Sequence, residues 1–423
     1  MSVASSDIAT RQRQPIFALF AANAISLTGN VLAVVAIPWF VLQTTGSATQ
    51  TGITGFFTIL PVIVAAFFGG SLVDRLGFKR ASIIADITSG VAIALIPLLY
   101  QFFGLAFWQL LILVFIGNLL DAPGGTARAA LVPDLAKLAN LRFERATAST
   151  QGIERGSRMI GAPLAGLLIT VFGSANVLWI DAATFLISAL IVAVFVPRLA
   201  HPATQEKSQS YLAELGDGLR FIRRDALIFA LMLTVMVTNF LDTPSGSVII
   251  PVYVKNTSGS AIDLGLFFAA IGAGSLIGAI IFGAIGHRLP RRATFISMFV
   301  IVGLRFWVLA VQPPMWILLL VWVIAGFAAG PLNPIMGVIE YERIPANMRG
   351  RVFGTMTAGA YLAIPVGMLL VGLALEQIGM TWTVLLMGAG YLVTTLSMIV
   401  NPAIREMDRV GKINSTPEFS LGE

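Results

Sequence analysis

Twelve long apolar runs, separated by short polar segments, constrain the fold of this chain more than any other feature. A helix needs about 20 apolar residues to cross a bilayer. Only 11% of the 423 residues are charged, whereas a soluble domain carries about 25%. The sequence therefore predicts an all-α membrane protein with twelve transmembrane helices. The runs lie near residues 16–42, 50–73, 81–100, 105–127, 148–171, 176–196, 226–252, 263–286, 293–311, 315–338, 351–375 and 381–400.

The basic residues predict which side of the membrane each segment faces. With the N-terminus inside, Lys255 is the one basic residue of the 27 that lies in an outer segment. Arg155, Arg158 and Arg305 lie within runs, and the others lie in inner segments. Because inner segments of membrane proteins are enriched in lysine and arginine, we predict that both termini are cytoplasmic. The net charge of +6 does not indicate a nucleic-acid partner, since the basic residues lie between apolar runs and not on one face.

Two weakly similar segments indicate an internal duplication. Residues 69–80 read Gly-Gly-Ser-Leu-Val-Asp-Arg-Leu-Gly-Phe-Lys-Arg and predict a tight loop at the membrane surface. Residues 283–292 resemble this segment weakly. The distance along the chain between the two segments is nearly the same as that between Pro133 and Pro345. Such a repeat predicts two six-helix halves. We assign residues 1–196 to an N-terminal half, 197–225 to a cytoplasmic linker with an amphipathic segment on the membrane surface, 226–400 to a C-terminal half and 401–423 to a cytoplasmic tail.

Polar residues on the first and fourth runs of each half recur every three or four positions, which places them on one helix face. A shared water-filled cavity explains these stripes, but small polar residues also hold membrane helices together. For the serine, threonine and asparagine positions both explanations stay open, whereas for Asp121 and Asp242 the cavity is favoured. The stripes are Asn23, Ser26 and Asn30; Asn118, Asp121, Gly125 and Arg128; Thr234, Thr238, Asp242 and Ser245; and Asn333, Gly337 and Glu340.

The other charged residues within runs favour structural roles. Glu154 and Arg158 are four residues apart and can pair on one helix face. The alternative is that Arg158 holds a carboxylate of the fourth run or of a substrate. Asp86 and Asp181 lie about one turn from the ends of their runs, which favours snorkelling or packing. Arg305 lies in the middle of its run, and the sequence does not identify its partner.

The segment 69–80 resembles the motif G-x-L-a-D-r-x-G-r-k-r between helices two and three of the major facilitator superfamily. Residues 25–48 and 121–135 resemble patterns of its bacterial efflux branch, which contains macrolide exporters and the enterobactin exporter. Residues 161–167 are similar in part to the G-P-x-x-G-G element of antiporters, with Ala162 and Leu167 replacing two glycines. Asn30 stands where this branch usually has aspartate, so Asp121 or Asp242 is the candidate for proton coupling.

This resemblance implies a secondary active transporter with the major facilitator fold, which exports a small amphipathic, drug-like compound by proton antiport. It also implies a bacterial-type inner (plasma) membrane as the location. The second hypothesis is export of an anionic metabolite such as a siderophore, with Arg158 or Arg128 binding its negative charge. A non-transporting membrane receptor or assembly factor is the alternative from a different class.

We expect no enzyme activity, no metal and no cofactor, because the chain has no cysteine and its two histidines lie in polar segments. No Gly-x-x-x-x-Gly-Lys-Ser/Thr loop is present in the sequence, so an ion gradient should supply the energy. The expected partners are the small-molecule substrate, protons and the lipid bilayer, without nucleic acid. We expect a monomer.

The resemblance further implies a conformational clamp at the cytoplasmic side. We expect Asp74 to lie near residues 349–354, where helix-end amides attract a carboxylate. The residues assigned to the clamp are Gly70, Asp74, Arg75, Gly77, Arg80 and Arg128.

Two further hypotheses concern charged groups inside the membrane. Arg128 can pair with Glu340 of the other half, or Glu340 can pair with Arg343 of its own half. Between the two candidate carboxyl groups, we expect Asp242 to titrate because its own helix has no basic neighbour. Asp121 would then have an orienting role.

Overall fold

The computed structural model describes the backbone of residues 2–198 and 211–410. It describes their side chains except at positions 2–11, 66–68, 70–72, 74, 211–214 and 409–410. The helices are α1 Ser2–Thr45, α2 Ala48–Leu76, α3 Phe78–Phe102, α4 Phe107–Leu119, α5 Asp121–Leu138, α6 Phe143–Phe172, α7 Ser174–Phe195, α8 Tyr211–Arg224, α9 Ala226–Pro244, α10 Ile250–Thr257, α11 Ala261–Ile285, α12 Arg291–Ala310, α13 Met315–Ala329, α14 Leu332–Arg343, α15 Arg349–Leu362, α16 Ile364–Val400, α17 Pro402–Arg405 and α18 Met407–Val410.

These helices form twelve spans, as the apolar runs predict. Within the described residues, ten stretches are long and apolar enough to cross a membrane. One of them, Ala346–Val400, contains two spans because Gly379 interrupts α16 with a φ of 77°. The remaining span is α6, whose first half carries the charged residues 154, 155 and 158. The predicted all-α class with twelve transmembrane helices is confirmed.

The segment 69–80 is mostly helical and not the loop that the sequence predicts. Helix α2 continues to Leu76, and Gly77 alone separates it from α3. Gly77 has a φ of 76° and a ψ of 145°, which a residue with a side chain rarely adopts. In a bilayer the backbone has no water to bond, so a helix continues through glycines until a positive φ ends it.

Several spans are broken within the membrane. Leu120 separates α4 from α5, and α5 then continues beyond Pro133 to Leu138. After Pro244, the π-helix Ser245–Ile249 connects α9 to α10. Single-turn π-helices are rare and are frequent at functional sites.

The chain divides into two compact units. The first comprises residues 1–208, 244–269 and 368–376, and the second comprises residues 209–243, 270–367 and 377–423, each within the described part of the chain. In the first unit, Ile16, Leu19, Leu135 and Val192 belong to one buried cluster. In the second, the rings of residues 295, 299, 306 and 391 are in contact, in edge-to-face or tilted arrangements.

The amphipathic segment of the predicted linker forms α8, which packs against α15 within the second unit. Asp217 pairs with Arg351 at 3.3 Å, and Gly218 lies against the main chain of Arg351. Ile222 is fully buried. The apolar face of α8 is therefore at least partly covered by protein.

Candidate functional site

A buried ion pair connects three helices of the first unit. Arg128 of α5 donates to Asp86 of α3 over 2.6 Å, and their side chains are 3% and 1% exposed. Ser188 of α7 donates to the other carboxylate oxygen of Asp86 over 2.7 Å. Of the two alternatives predicted for Asp86, snorkelling and packing, the structure supports packing, because a cation and a hydroxyl group compensate its charge inside the bundle. Removing one partner of such a pair is far more costly than removing both.

Asp121 lies beside this ion pair at the beginning of α5. Its carboxylate accepts a hydrogen bond of 3.1 Å from the side-chain amide of Asn30 on α1. It also occupies the first turn of α5, where the free amides of a helix favour negative charge. The structure thus brings together two members of the predicted stripes, on the first and fourth spans.

Asp181 of α7 is a site that the sequence reasoning missed. It is fully buried, and neither carboxylate oxygen has a hydrogen-bond partner among the described residues. The carboxyl group lies against Gly29 of α1, where an added Cβ atom would come within 2.6 Å of Oδ1. Of the two alternatives predicted for Asp181, snorkelling and packing, its full burial excludes snorkelling. Its position inside an apolar run was the signal for a candidate site.

The second unit contains a different carboxylate site. Arg305 of α12 donates to Asp242 of α9 in a short ion pair, and the Tyr391 hydroxyl group donates to the other oxygen over 3.2 Å. The guanidinium group of Arg305 lies 4.8 Å from the centre of the Phe306 ring and 6.0 Å from that of Trp322. Cation–π contacts of this kind stabilise a buried charge.

Asp242 has no basic neighbour in its own helix, as the sequence shows, but Arg305 reaches it from a helix two spans later in the chain. Arg305 is 5% exposed, whereas Asp242 keeps 32% of its side-chain surface exposed. The pair is therefore built from a buried cation and a partly accessible carboxylate.

Other predicted stripe residues bond within their own helices. Asn118 donates to the main-chain oxygen of Val114 over 2.8 Å, and Thr238 donates to that of Val235 over 3.2 Å. Ser26 is buried, Asn23 is half-buried and Asn333 is exposed. For Asn118 and Thr238 the contacts support a structural role.

Charged candidate residues of the fifth and tenth spans form ion pairs of their own. Arg158 pairs with Glu154 at 3.0 Å on an exposed helix surface, as the structural alternative predicts. Arg343 pairs with Asp225 at 3.3 Å and, in a shorter contact, with Glu406. Both arginines considered as partners of Glu340, Arg128 and Arg343, are therefore paired with other carboxylates. These contacts give no support to the Arg128–Glu340 hypothesis.

The clamp motif is described only in part. The surroundings of Gly70 and the side chain of Asp74 lie outside the described part of the structure, so the proximity of Asp74 to residues 349–354 stays a prediction. Arg75 and Arg80 are exposed. Lys79 donates to the main-chain oxygen of Ala193 in the last turn of α7 over 2.8 Å, and a cation is favourable there.

Two glycine contacts join spans of different predicted halves within the first unit. Gly52 of α2 meets Gly372 of α16, and a Cβ atom on Gly52 would lie 3.0 Å from the Cα atom of Gly372. Gly166 of α6 meets Gly265 of α11 with the same 3.0 Å spacing between the added Cβ and Cα. We call these two contacts the glycine contacts. They lie at the end of the spans that the positive-inside rule predicts to be outer.

Charged residues bind two helix ends beside the glycine contacts. Glu376 accepts hydrogen bonds of 3.1 Å from the Ser47 hydroxyl group and from the Thr49 amide at the beginning of α2. Lys255 donates to the main-chain oxygen of Leu42 near the end of α1. A carboxylate at a helix N-terminus and an ammonium group at a C-terminus are each the favourable charge.

Known proteins resemble this chain along almost its whole length. A protein-family model described as "Transmembrane secretion effector" matches residues 6–421. The multidrug efflux pump Tap of Mycolicibacterium fortuitum is 30% identical over 407 residues, which cover 95% of this chain and 99% of that protein. Macrolide efflux protein A of Streptococcus pyogenes is 23% identical over 397 residues, which cover 93% and 96%.

Solved transporter structures share the fold at low sequence identity. The nucleoside transporter NupG has a TM-score of 0.73 and 13% identity, over 93% of this chain and 98% of that one. A D-xylose-proton symporter has a TM-score of 0.68 and 14% identity, over 90% and 96%. These likenesses concern the fold alone.

Proposed function

The chain belongs to the transmembrane secretion effector family, and on that premise we propose that it exports small amphipathic, drug-like compounds in exchange for protons. Its relatives include proteins named as a multidrug efflux pump and a macrolide efflux protein. The resemblance to the bacterial efflux branch of the major facilitator superfamily is thereby confirmed. Proton exchange, the cytoplasmic position of both termini and the monomeric state are our proposals.

The observation that carries proton exchange is the presence of a membrane-embedded carboxylate site in each compact unit. Asp121 and Asp181 lie in the first unit, and Asp242 lies in the second. Ionisable groups within membrane spans are costly and mark ion pathways. Burial disfavours the charged form of a carboxyl group and hydration favours it, so a change of solvent access can bind and release a proton.

The exported compound requires a different kind of surface. Apolar walls provide affinity for many amphipathic compounds without strict selectivity. A few polar groups then fix orientation, and Asn30 with Asp121 is the candidate pair. Separate sites for the compound and for the proton allow one carboxyl group to serve chemically different compounds.

Export of an anionic metabolite has less support. It needs a cation that is free to meet the substrate, and the sequence offered Arg128 and Arg158 for that role. Arg128 is buried in its pair with Asp86, and Arg158 pairs with Glu154. We therefore propose drug-like compounds as the substrate class.

The proposal is tested by expressing the protein in a bacterial host that lacks its own efflux pumps. We expect lower sensitivity to several amphipathic antibiotics or dyes than in cells with the empty vector, and an uncoupler should abolish the difference. Inverted vesicles then separate the driving forces, because nigericin collapses the pH gradient and valinomycin collapses the membrane potential in potassium buffer. Uptake that persists when nigericin and valinomycin are added together would refute proton exchange, and unchanged sensitivity to every compound would refute drug export.

A further inference from the structure

We propose that Asp181 is a proton-binding site of this protein, and that the proton it holds is the one exchanged during export. The inference rests on the proposed function for its second part, since exchange needs a transport cycle. Its first part, the binding of a proton, stands on the surroundings of Asp181 alone.

The first observation is that Asp181 has no compensating group. It is fully buried, and both of its carboxylate oxygens are without a hydrogen-bond donor among the residues that the structure describes. The hydroxyl group of Thr184 is close by but donates to the main-chain oxygen of Asp181 over 2.7 Å. An ionised carboxylate in such surroundings is strongly disfavoured, so this conformation calls for a protonated carboxyl group.

The second observation is the contrast with Asp86 on the neighbouring helix. Asp86 is as deeply buried but receives Arg128 and Ser188. Among the described residues, the bundle therefore gives Asp86 a cation and a bonded hydroxyl group, and it leaves Asp181 without a cation. A carboxyl group that had to stay ionised would need the kind of partners that Asp86 has.

The third observation is the charge that surrounds Asp181. Helices α1, α3 and α6 pack against α7. The charged residues on them whose side chains are described lie elsewhere: Arg13 is exposed, Lys79 binds the last turn of α7, Arg80 is exposed, Asp86 is paired, and Glu144, Arg145, Glu154, Arg155 and Arg158 are exposed. The carboxyl group of Asp121 on α5 is connected to that of Asp181 through α1, since Asn30 binds Asp121 and the adjoining Gly29 lies against Asp181.

This arrangement assigns different roles to two neighbouring carboxyl groups. Asp121 has the Asn30 amide and the first turn of α5 to stabilise its negative charge. Asp181 has neither, and a second negative charge beside Asp121 would be repelled. Of the two carboxyl groups, Asp181 therefore has the surroundings that favour a bound proton, and Asp121 has the partners that favour its charged form.

Gly29 makes room for this carboxyl group. A Cβ atom at position 29 would come within 2.6 Å of Oδ1 of Asp181, so even an alanine would displace the side chain. The carboxyl group is thus enclosed by α1 on one side. A movement between α1 and α7 would be needed before water reaches it, which couples proton release to conformational change.

The decisive measurement needs no transported compound. Infrared difference spectra of the full-length protein in lipid should show the C=O stretch of a protonated carboxyl group, which disappears as the pH is raised. Asp181→Asn should remove this signal. Asp242→Asn is the matched control and should retain the part of the signal that Asp181→Asn removes, because Asp242 lies in the second unit and has Arg305 as its partner. Retention of the whole signal in the Asp181→Asn protein would overturn the proposal.

A second measurement uses the unmodified protein and so does not depend on the folding of a variant. Dicyclohexylcarbodiimide reacts with protonated carboxyl groups inside membranes, and mass spectrometry locates the adduct. Movement between α1 and α7 during the transport cycle would admit the reagent, so we expect the label on Asp181, more at low than at high pH. Labelling of Asp121 or Asp242 with none on Asp181 would overturn the proposal.

Ethidium uptake into inverted vesicles separates this inference from the proposed function. If uptake follows the pH gradient and Asp181→Asn abolishes it, the result supports both the proposed function and the role of Asp181. If uptake is driven by the gradient in the variant as well, Asp181 is not the exchanged site and the proposed function survives. If uptake by the unmodified protein ignores the gradient while the infrared signal depends on Asp181, proton exchange fails and the proton site stands.

Discussion

Asp181 lies in the first compact unit and Asp242 in the second, and the two carboxyl groups are surrounded in opposite ways. Asp242 is partly exposed and has a buried cation and a phenol as partners. Asp181 is fully buried and has no donor among the described residues. The comparison teaches that a position within an apolar span does not by itself decide the role of an aspartate, because the groups around the carboxylate differ between the two sites. The following changes test that conclusion, beginning with the largest expected effect.

Arg128→Met should destabilise the protein most, because it leaves Asp86 buried with an uncompensated charge. Breaking a buried ion pair on one side costs about 3–5 kcal/mol. Thermal unfolding of the detergent-solubilised protein should show a clear fall in the midpoint. The double variant Arg128→Met with Asp86→Leu should recover most of the loss, and no recovery would mean that the pair does not explain the cost.

Arg305→Leu should make the surroundings of Asp242 resemble those of Asp181, which has no cation as a partner among the described residues. Asp242 then loses its cation, and the expected loss of stability is about 2 kcal/mol, less than for Arg128 because Asp242 is 32% exposed and can be hydrated. The variant should also gain the infrared signal of a protonated carboxyl group. Adding Asp242→Asn in the same background should remove the new signal; if it remains, another group has taken the proton.

Tyr391→Phe should have the smallest effect, because it removes one hydrogen bond of 3.2 Å and leaves the ion pair in place. The expected loss is about 1 kcal/mol. The shift of the unfolding midpoint should therefore be smaller than for Arg305→Leu, and no protonated-carboxyl signal should appear. A shift as large as that of Arg305→Leu would show that the phenol, and not the guanidinium group, is the main partner of Asp242.

The spans could be predicted from the sequence, while the pairing of charges could not. Run length and hydrophobicity are local properties, and they gave the twelve helices. The Asp242, Arg305 and Tyr391 side chains come from three different spans, and their meeting depends on how helices pack. The same holds for Asp86, Arg128 and Ser188, so no spacing rule within one helix could have identified either set.

Local rules also misplaced some features. The break between two apolar runs at 69–80 predicted a loop, but the helix continues to Leu76 because a membrane backbone must satisfy its own hydrogen bonds. The distance of Asp181 from the end of its run suggested snorkelling or packing, but that distance says nothing about which neighbours cover the side chain. The Asn30–Asp121 contact could have been predicted from the sequence, since both residues belong to the predicted stripes.

The glycine contacts have a consequence for how freely this protein can vary. At Gly52 with Gly372 and at Gly166 with Gly265, the helices meet through main-chain atoms, so each contact depends on a missing side chain and not on a matched pair of side chains. Mutations elsewhere along these spans can accumulate without weakening the contacts. A change in the range of compounds that the protein handles can therefore arise independently of the machinery that brings its helix ends together.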